Sequence, residues 1–181
     1  MSVNKTVYLS LGGNLGDREG TLQQALAKIA QIPDVKDLEV SQSYETSPIS
    51  DIPQSDFINL VCSLRTTLSA FELLSYLQKI ETKLGKTPKP KDAPRTIDID
   101  ILFFGTDLHE KNKQNDHIDL EIPHPRWKQR LFVIVPLLDL TKAVTVPANL
   151  DGKRGEEIID LIKLRDSLLN EKSQHVRQYN S

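Results

Sequence analysis

Two aspartates, Asp98 and Asp100, lie two residues apart in an apolar stretch, residues 94–104, that has the composition of a β-strand. Because strand side chains alternate between faces, both carboxylates are expected on one face, about 7 Å apart along the strand. The opposite, apolar face is expected to carry Ile97, Ile99, Ile101 and Phe103. Carboxylates this close repel each other unless a cation lies between them, and oxygen ligands favour Mg²⁺. The pair alone does not establish a metal site, since acidic residues are common on exposed strand faces.

The composition is that of an ordinary globular protein of 181 residues, for which a single domain is the default. We expect a core at about residues 4–147 and a C-terminal extension at 153–181. A formal net charge of −2 argues against nucleic acid as a partner. Cys62 is the single cysteine, and no apolar stretch has the length of a membrane span or signal sequence. These features predict a cytoplasmic protein with no membrane partner.

The predicted elements follow the order β-α-β-β-α-β. Strands are predicted at 6–11, 38–46 and 56–66, with the aspartate strand as the fourth, and a structural turn is predicted at 12–16. Asp17 is expected to cap the first helix, whereas Ser69 and Glu72 form a capping box for the second, which ends at Gly85. This order predicts a ferredoxin-like α+β sandwich, in which an antiparallel sheet carries helices on one face.

Beyond the fourth strand the predicted elements are fewer. The polar segment 106–117 indicates a hairpin tip or loop, and the apolar run at 132–138 is interpreted as the last core strand. A helix is expected near residues 155–164 in the tail. None of these C-terminal segments carries a motif of its own.

One face of the predicted sheet is left uncovered by the helices. It would present Phe57, Asn59, Asp98 and Asp100, because the isoleucines of the aspartate strand and Ile58 point to the helices. An aromatic ring and an amide on one strand face could stack on a flat heterocycle and hydrogen-bond to it. A lone exposed aromatic residue is the alternative interpretation of Phe57.

Basic residues are expected on both sides of the two carboxylates. They are Lys86, Lys89, Lys91, Arg95, His124 and Arg130. Guanidinium groups bind phosphates in a bidentate manner, which makes Arg95, just before the aspartate strand, the best candidate for a phosphate ligand. For the lysines, ordinary surface charge is the simpler interpretation. Phe132 could be a core residue or a second stacking ring.

Short motifs follow one another in a fixed order over about residues 1–147. They are L-G-G-N-L-G-D at 11–17, T-S-P-I at 46–49, F-I-N at 57–59, the helical set Gln78, Glu81 and Gly85, P-R-T-I-D-I-D at 94–100, and P-H-P-R with R-L-F-V and P-L at 123–137. Single pieces are common, but the ordered set resembles the 6-hydroxymethyl-7,8-dihydropterin pyrophosphokinase family of folate biosynthesis.

The resemblance implies the fold given above and transfer of pyrophosphate from ATP to the hydroxymethyl group of the pterin, with release of AMP. It implies that Asp98 and Asp100 hold two Mg²⁺ ions and act with Arg95 and Arg130 in catalysis. The implied ATP site comprises Gln78, Glu81, Arg95, Ile101, His124 and Arg130. The implied pterin site comprises Thr46, Pro48, Ile49, Phe57, Asn59 and Phe132. The partners would be these small molecules, and a monomer is expected.

The loop before the aspartate strand departs from the family pattern. The family usually has R-x-R after the glycine that ends the second helix, whereas this chain has K-T-P at 86–88. The family also often has a tryptophan before a G-P-R motif. This chain lacks that tryptophan and has Ala93 in place of the glycine of G-P-R. Two other functions fit the residues alone. A non-catalytic ferredoxin-like binding module would release no AMP, and a nucleotidyltransferase with the same D-x-D pattern would release pyrophosphate instead.

Overall fold

A computed structural model describes residues 4–49, 52–88, 90, 93–110, 120–150, 153–171 and 174–180 of the chain. The strands are β1 (Lys5–Gly13), β2 (Val35–Val40), β3 (Tyr44–Thr46), β4 (Phe57–Thr66), β5 (Asp98–Phe104), β6 (Ala143–Leu150), β7 (Lys153–Asp160) and β8 (Val176–Gln178). The helices are α1 (Arg18–Ile29), α2 (Ala70–Lys83), α3 (Leu131–Leu137) and α4 (Leu161–Glu171), with a 3-10 turn at Trp127–Gln129. Within these ranges, no helix is long and apolar enough to cross a membrane.

The central sheet is antiparallel, in the order β5-β1-β4-β3-β8, with β2 also paired to β4. Strand β1 lies between β4 and β5, so Gly12 is opposite Asn59 on one side and Asp98 on the other. Ser10 is likewise opposite Asp100. Because directly paired residues point to the same face, Asn59 and both aspartates project from one face of the sheet, as the sequence predicted.

Helices α1 and α2 pack on the other face and form the main core with it. The Asp17 side chain accepts a hydrogen bond from the Gly20 backbone N–H at the start of α1. Ser69 and Glu72 form a reciprocal capping box at the start of α2, and Gly85 follows its end with a φ of 87°. These caps are as predicted, since each one depends on residues three or four apart in sequence.

A β-bulge changes which side chains share the aspartate face. It pairs Tyr8 with Phe103 but Leu9 with Ile101, so the alternation along β5 reverses after Ile101. The prediction that Phe103 lies with the isoleucines is therefore wrong. Phe103 packs edge-on against Trp127, with 4.8 Å between the ring centroids, and joins a second core that includes α3. The aspartate face is thus covered at its far end, so helices pack on both faces of the sheet, and the prediction of helices on one face only is wrong.

The apolar run predicted as a last core strand is helix α3. A short continuous apolar run has no period that separates a strand from a buried helix, which is why the prediction was wrong. Pro136 argued against a central strand because proline cannot donate a hydrogen bond to its neighbour. Leu131 and Ile134 are fully buried against Leu168 of α4 and Val176 of β8.

The tail also differs from the prediction. The helix expected near residues 155–164 begins only at Leu161, because 153–160 form strand β7, held by antiparallel pairing to β6. Asp160 caps α4 by accepting hydrogen bonds from the backbone N–H groups of Ile162 and Lys163.

Two further boundaries differ. The strand predicted at 38–46 is two strands, β2 and β3, and β1 continues to Gly13 into the predicted turn. His109 and Ile122 form an isolated antiparallel bridge, which agrees with a hairpin at this point. Residues 111–119, which include most of the predicted hairpin tip, lie outside the described residues.

Candidate active site

A cavity of about 1260 Å³ lies over the aspartate face of the sheet. Single-ligand sites usually have roughly 300–1,000 Å³, so this cavity has room for two ligands. The predicted site residues that line it are Thr46, Pro48, Ile49, Phe57, Asn59, Gln78, Glu81, Arg95, Asp98, Asp100, His124, Arg130 and Phe132. The fold therefore brings together residues that are distributed over more than 80 positions of the sequence.

Ile101 is the exception among the predicted residues. Its side chain is 4% exposed and belongs to the core beneath α1 and α2. Strand alternation after Asp100 turns the Ile101 side chain away from the cavity. The structure therefore does not place this side chain where the family resemblance put it.

The carboxylate of Asp98 lies between two cations. Lys86 Nζ is 2.7 Å from Asp98 Oδ1, and the Arg95 guanidinium is 2.6 Å from Oδ2. Burial alone would raise the pKa of Asp98, but the charges of Lys86 and Arg95 outweigh burial and lower it. Asp98 is therefore ionised at neutral pH.

Asp100 has less compensating charge. The nearest guanidinium nitrogen, from Arg130, is 3.7 Å from Asp100 Oδ2. Burial and the neighbouring charge of Asp98 raise the pKa of Asp100 to about 6, and Arg130 offsets only part of this. The Asp100 side chain is 38% exposed, so solvent screens some of the repulsion. The two carboxylates, Asp98 and Asp100, would therefore accommodate further positive charge.

The two carboxylates have the chemistry of a site for a hard divalent cation. Among the described residues, no group of three or more His, Cys, Asp and Glu side chains could hold a metal by itself. Mg²⁺ usually takes one or two carboxylates and completes its shell with water and substrate phosphates. Asp98 and Asp100 fit that pattern, because they share a face of the sheet and line one cavity.

His124 lies beside Asp100 as a neutral imidazole. Burial, together with the charges of Arg130 and Arg126, lowers the pKa of His124 to about 4. Its Nδ1 accepts a hydrogen bond from the Arg126 backbone N–H, and in the tautomer that this bond selects Nε2 carries the proton, 3.7 Å from Asp100 Oδ2 and 3.4 Å from Arg130 Nη1. His124 can therefore donate a hydrogen bond to an anion without adding charge to the site.

A polar wall occupies another part of the same cavity. Asn59 Nδ2 donates a hydrogen bond to Thr46 Oγ1 at 2.6 Å, and both residues are buried. A Cβ atom at Gly12 would come within 2.2 Å of Asn59 Oδ1, so glycine is needed for this amide to pack against β1. The half-buried rings of Phe57 and Phe132 also line the cavity. This combination suits a planar ligand with polar edges.

Asn14, within the predicted structural turn, fixes the backbone of Arg95. Asn14 N donates to Arg95 O, and Arg95 N donates to Asn14 Oδ1, both at 2.9 Å. Asn14 Nδ2 also donates to Ser55 O at 3.0 Å. The glycine-rich motif therefore has a positioning role that local sequence patterns did not indicate, since its partners are about 40 and 80 residues away.

Several cavity residues were not found from the sequence. They are Ser10, Gly12, Gln54, Thr82, Arg126, Gln129 and Gln174. Ser10 and Gly12 could have been found, because they alternate with buried leucines along β1.

The interpretation of Lys86 as surface charge is wrong, since Lys86 Nζ also lies 2.7 Å from Glu81 Oε1. Lys89 and Lys91 lie outside the described residues.

The fold and the site define an α+β enzyme for transfer of phosphate groups, with carboxylates, arginines and a neutral histidine around one large cavity. Residues 8–142 match the model of the family described as 7,8-dihydro-6-hydroxymethylpterin-pyrophosphokinase (HPPK), and the chain belongs to this family. The comparison confirms the resemblance inferred from the ordered motifs.

Curated relatives agree with this family. The chain is 41% identical over 148 residues to the 2-amino-4-hydroxy-6-hydroxymethyldihydropteridine pyrophosphokinase of Bacillus subtilis, covering 81% of this chain and 84% of the relative. The enzyme of the same name from Synechocystis sp. is 37% identical over 158 residues, covering 87% and 75%. The chain accordingly catalyses pyrophosphate transfer from ATP to hydroxymethyldihydropterin, a step of folate biosynthesis.

Solved structures show the same fold at low identity. A crystal structure of HPPK-DHPS in complex with substrates superposes with a TM-score of 0.64 at 16% identity and covers 93% of this chain. Plasmodium falciparum HPPK-DHPS superposes with a TM-score of 0.60 at 16% identity. This chain spans 44% and 42% of those two chains, respectively.

Proposed function

We propose that the cavity binds ATP and the hydroxymethyl dihydropterin side by side, with Asp98 and Asp100 at their junction. The supporting observation is that one 1260 Å³ space joins the carboxylate cluster to the wall formed by Phe57 and Asn59. The proposed pterin site comprises Thr46, Pro48, Ile49, Phe57, Asn59 and Phe132. The proposed ATP site comprises Gln78, Glu81, Arg95, His124 and Arg130.

The pterin ring would lie between Phe57 and Phe132, and Asn59 would bind its polar edge. The Asn59 Nδ2 group already donates to Thr46, so Oδ1 is the atom available to accept from ring N–H groups. Arg130 lies 5.2 Å from the centre of the Phe132 ring, so the stacking residue also borders the phosphate site. This arrangement would place the hydroxymethyl group towards the carboxylates.

In the reaction, the hydroxymethyl oxygen bonds to the β-phosphorus of ATP while the bond to the α-phosphate oxygen breaks, which releases AMP. Asp98 and Asp100 would hold the two Mg²⁺ ions, which neutralise phosphate charge when bound. Arg95 and Arg130 would stabilise the transferred group, and neutral His124 would donate a hydrogen bond to it. One of the aspartates would accept the proton of the hydroxyl group.

The loop after α2 would close over the substrates. Lys86, Thr87, Pro88 and Pro90 line the cavity, which supports this role. Lys86 pairs with Asp98 and Glu81, and it would transfer to phosphate oxygens as ATP binds. Closure would exclude water, which otherwise competes as a nucleophile.

We also propose finer assignments of fold and organisation. The β-α-β-β-α-β order and the sheet order β5-β1-β4-β2 support a ferredoxin-like core. The addition of β8 to the central sheet supports a single domain over 1–181, with its core at about 4–147 and the extension at 153–181 as part of it. The single buried Cys62 supports a cytoplasmic location, and the substrates would be the only partners of a monomer.

The reaction products provide the test of this proposal. With ATP, hydroxymethyl dihydropterin and Mg²⁺, AMP and the pterin diphosphate are expected in equal amounts, and chelation of Mg²⁺ should stop both. Pyrophosphate release in place of AMP would indicate nucleotidyl transfer. ATP binding without product would indicate a binding module.

Replacement of Phe57 by alanine tests the pterin assignment. Loss of one stacking ring should weaken pterin affinity by about 1–3 kcal/mol, or about 5- to 150-fold, with a much smaller effect on ATP. Isothermal titration calorimetry with each ligand measures both affinities. Phe71→Ala is the matched control, because Phe71 is 45% exposed on α2 and packs edge-on against His109, and neither residue lines the cavity. An equal loss of both affinities in Phe57→Ala would contradict the stacking role.

A further inference from the structure

Gln174, just before β8, connects the C-terminal extension to the start of α3. Its Oε1 accepts a hydrogen bond from Leu131 N at 3.0 Å, and its Nε2 donates to Gln129 O at 3.1 Å. The two bonds therefore hold the backbone on both sides of Arg130. Gln174 also lines the cavity itself.

The residues after Gln174 hold the other side of the proposed pterin site. His175 O accepts from Ser47 N at 3.2 Å, and His175 N donates to Ser47 Oγ at 3.3 Å. The next residue, Val176, pairs with Thr46 in the sheet and packs on Leu131. One short segment thus links two parts of the chain that are about 80 residues apart, both of which line the cavity.

At the start of α3, the backbone N–H of Leu131 has its hydrogen-bond partner outside the helix. Arg130 is the N-cap residue and makes no side-chain capping bond, and among the described residues it is the Gln174 side chain that bonds to Leu131 N. Arg130 and Phe132 both depend on the direction in which this segment leaves the 3-10 turn. Without the amide of Gln174, the Leu131 N–H would lose its partner and the segment could rotate.

We propose that Gln174 is a positioning residue of the enzyme, which sets Arg130 and Phe132 against the strand that carries Thr46. The inference rests on the proposed pterin site. Gln174 lies outside residues 8–142, the part of the chain that matches the family, so the family match assigns it no role. The C-terminal extension would therefore contribute directly to the geometry of the site.

Replacement of Gln174 by leucine, in the full-length chain, tests the inference. Leucine has a similar size but neither hydrogen bond, so pterin affinity should weaken and the pterin KM should rise by about tenfold. The kcat should also fall, because Arg130 shifts together with Phe132, whereas ATP affinity should change less, since Gln78, Glu81, Arg95 and His124 keep their places. The pterin affinity of Gln174→Glu should lie between those of the wild type and Gln174→Leu, because glutamate keeps the acceptor for Leu131 N and loses the donor to Gln129 O. The matched control is Arg177→Ala on β8, three residues further along, which should behave as wild type because Arg177 pairs with Glu45 and neither residue lines the cavity.

A selective loss of pterin affinity in Gln174→Leu, without an equal effect in Arg177→Ala, would support the inference. Wild-type pterin affinity would overturn it. An equal loss of affinity for both substrates, together with a lower unfolding temperature, would also overturn the inference, because a purely structural role predicts that result. If Phe57→Ala also leaves pterin affinity unchanged, the proposed pterin site fails together with this inference. If only Gln174→Leu is without effect, the pterin site stands.

Discussion

Asp100→Asn is expected to remove nearly all pyrophosphate transfer while the fold stays intact. Asparagine keeps the shape of the side chain but not the charge that would hold Mg²⁺. Because metal coordination supplies several kcal/mol of charge stabilisation, the rate should fall by about a thousandfold or more. AMP formation under saturating substrates and Mg²⁺ measures the effect.

The same substitution should not destabilise the protein in the absence of Mg²⁺. Burial and Asp98 raise the pKa of Asp100 from 3.8 to about 6 in the folded state. A carboxyl group whose pKa is raised on folding stabilises the protein fully at a pH below its unfolded-state pKa. This stabilisation is lost as the pH rises through its folded-state pKa. The free energy of unfolding of the wild type, minus that of Asp100→Asn, should therefore decrease between about pH 4 and pH 6 and then level off.

Asp107→Asn is the matched control for Asp100→Asn. Asp107 pairs with Lys5 at 2.6 Å outside the cavity, so its loss should leave AMP formation within about twofold of wild type. Near-normal turnover in Asp100→Asn would contradict the metal role. Lower stability of Asp100→Asn at pH 7 to 8 without Mg²⁺ would contradict the unbalanced negative charge around Asp98 and Asp100.

The central part of the site could be predicted because strand alternation is a local rule. Asp98 and Asp100 share a face on β5, and Phe57 and Asn59 share a face on β4, from sequence spacing alone. The element order then placed these two strands in one sheet. The structure adds the register, in which Gly12 of β1 lies directly between Asn59 and Asp98.

The parts that could not be predicted depend on contacts between distant residues. The bulge that turns Phe103 to the aspartate face is set by pairing with β1, and no local pattern in β5 indicates it. Lys86 looks like ordinary surface charge in sequence, and its role depends on Glu81 and Asp98 coming together. Gln174 lies in a polar tail without a motif, and its two partners are more than 40 residues away.

Arg130→Ala is expected to have the second largest effect on catalysis. Arg130 is mostly buried, lies 3.7 Å from Asp100 Oδ2 and packs on the Phe132 ring. A guanidinium that stabilises the transferred group usually contributes about 10²–10³-fold or more, so kcat should fall by that factor. Removal of its charge should also raise the pKa of Asp100 further, because Arg130 now lowers it. The acid limb of the kcat/KM profile should therefore move to higher pH.

Two substitutions separate the charge of Arg130 from its planar shape. Arg130→Lys should recover part of kcat and most of the pH profile, because lysine restores the charge without the bidentate geometry. Arg65→Ala should behave as wild type, since Arg65 is exposed on β4 and pairs only weakly with Asp37 at 3.3 Å. A kcat for Arg130→Ala within about threefold of wild type would contradict its role in phosphate transfer. A full recovery by lysine would show that charge alone, without the planar guanidinium, accounts for the effect of this position.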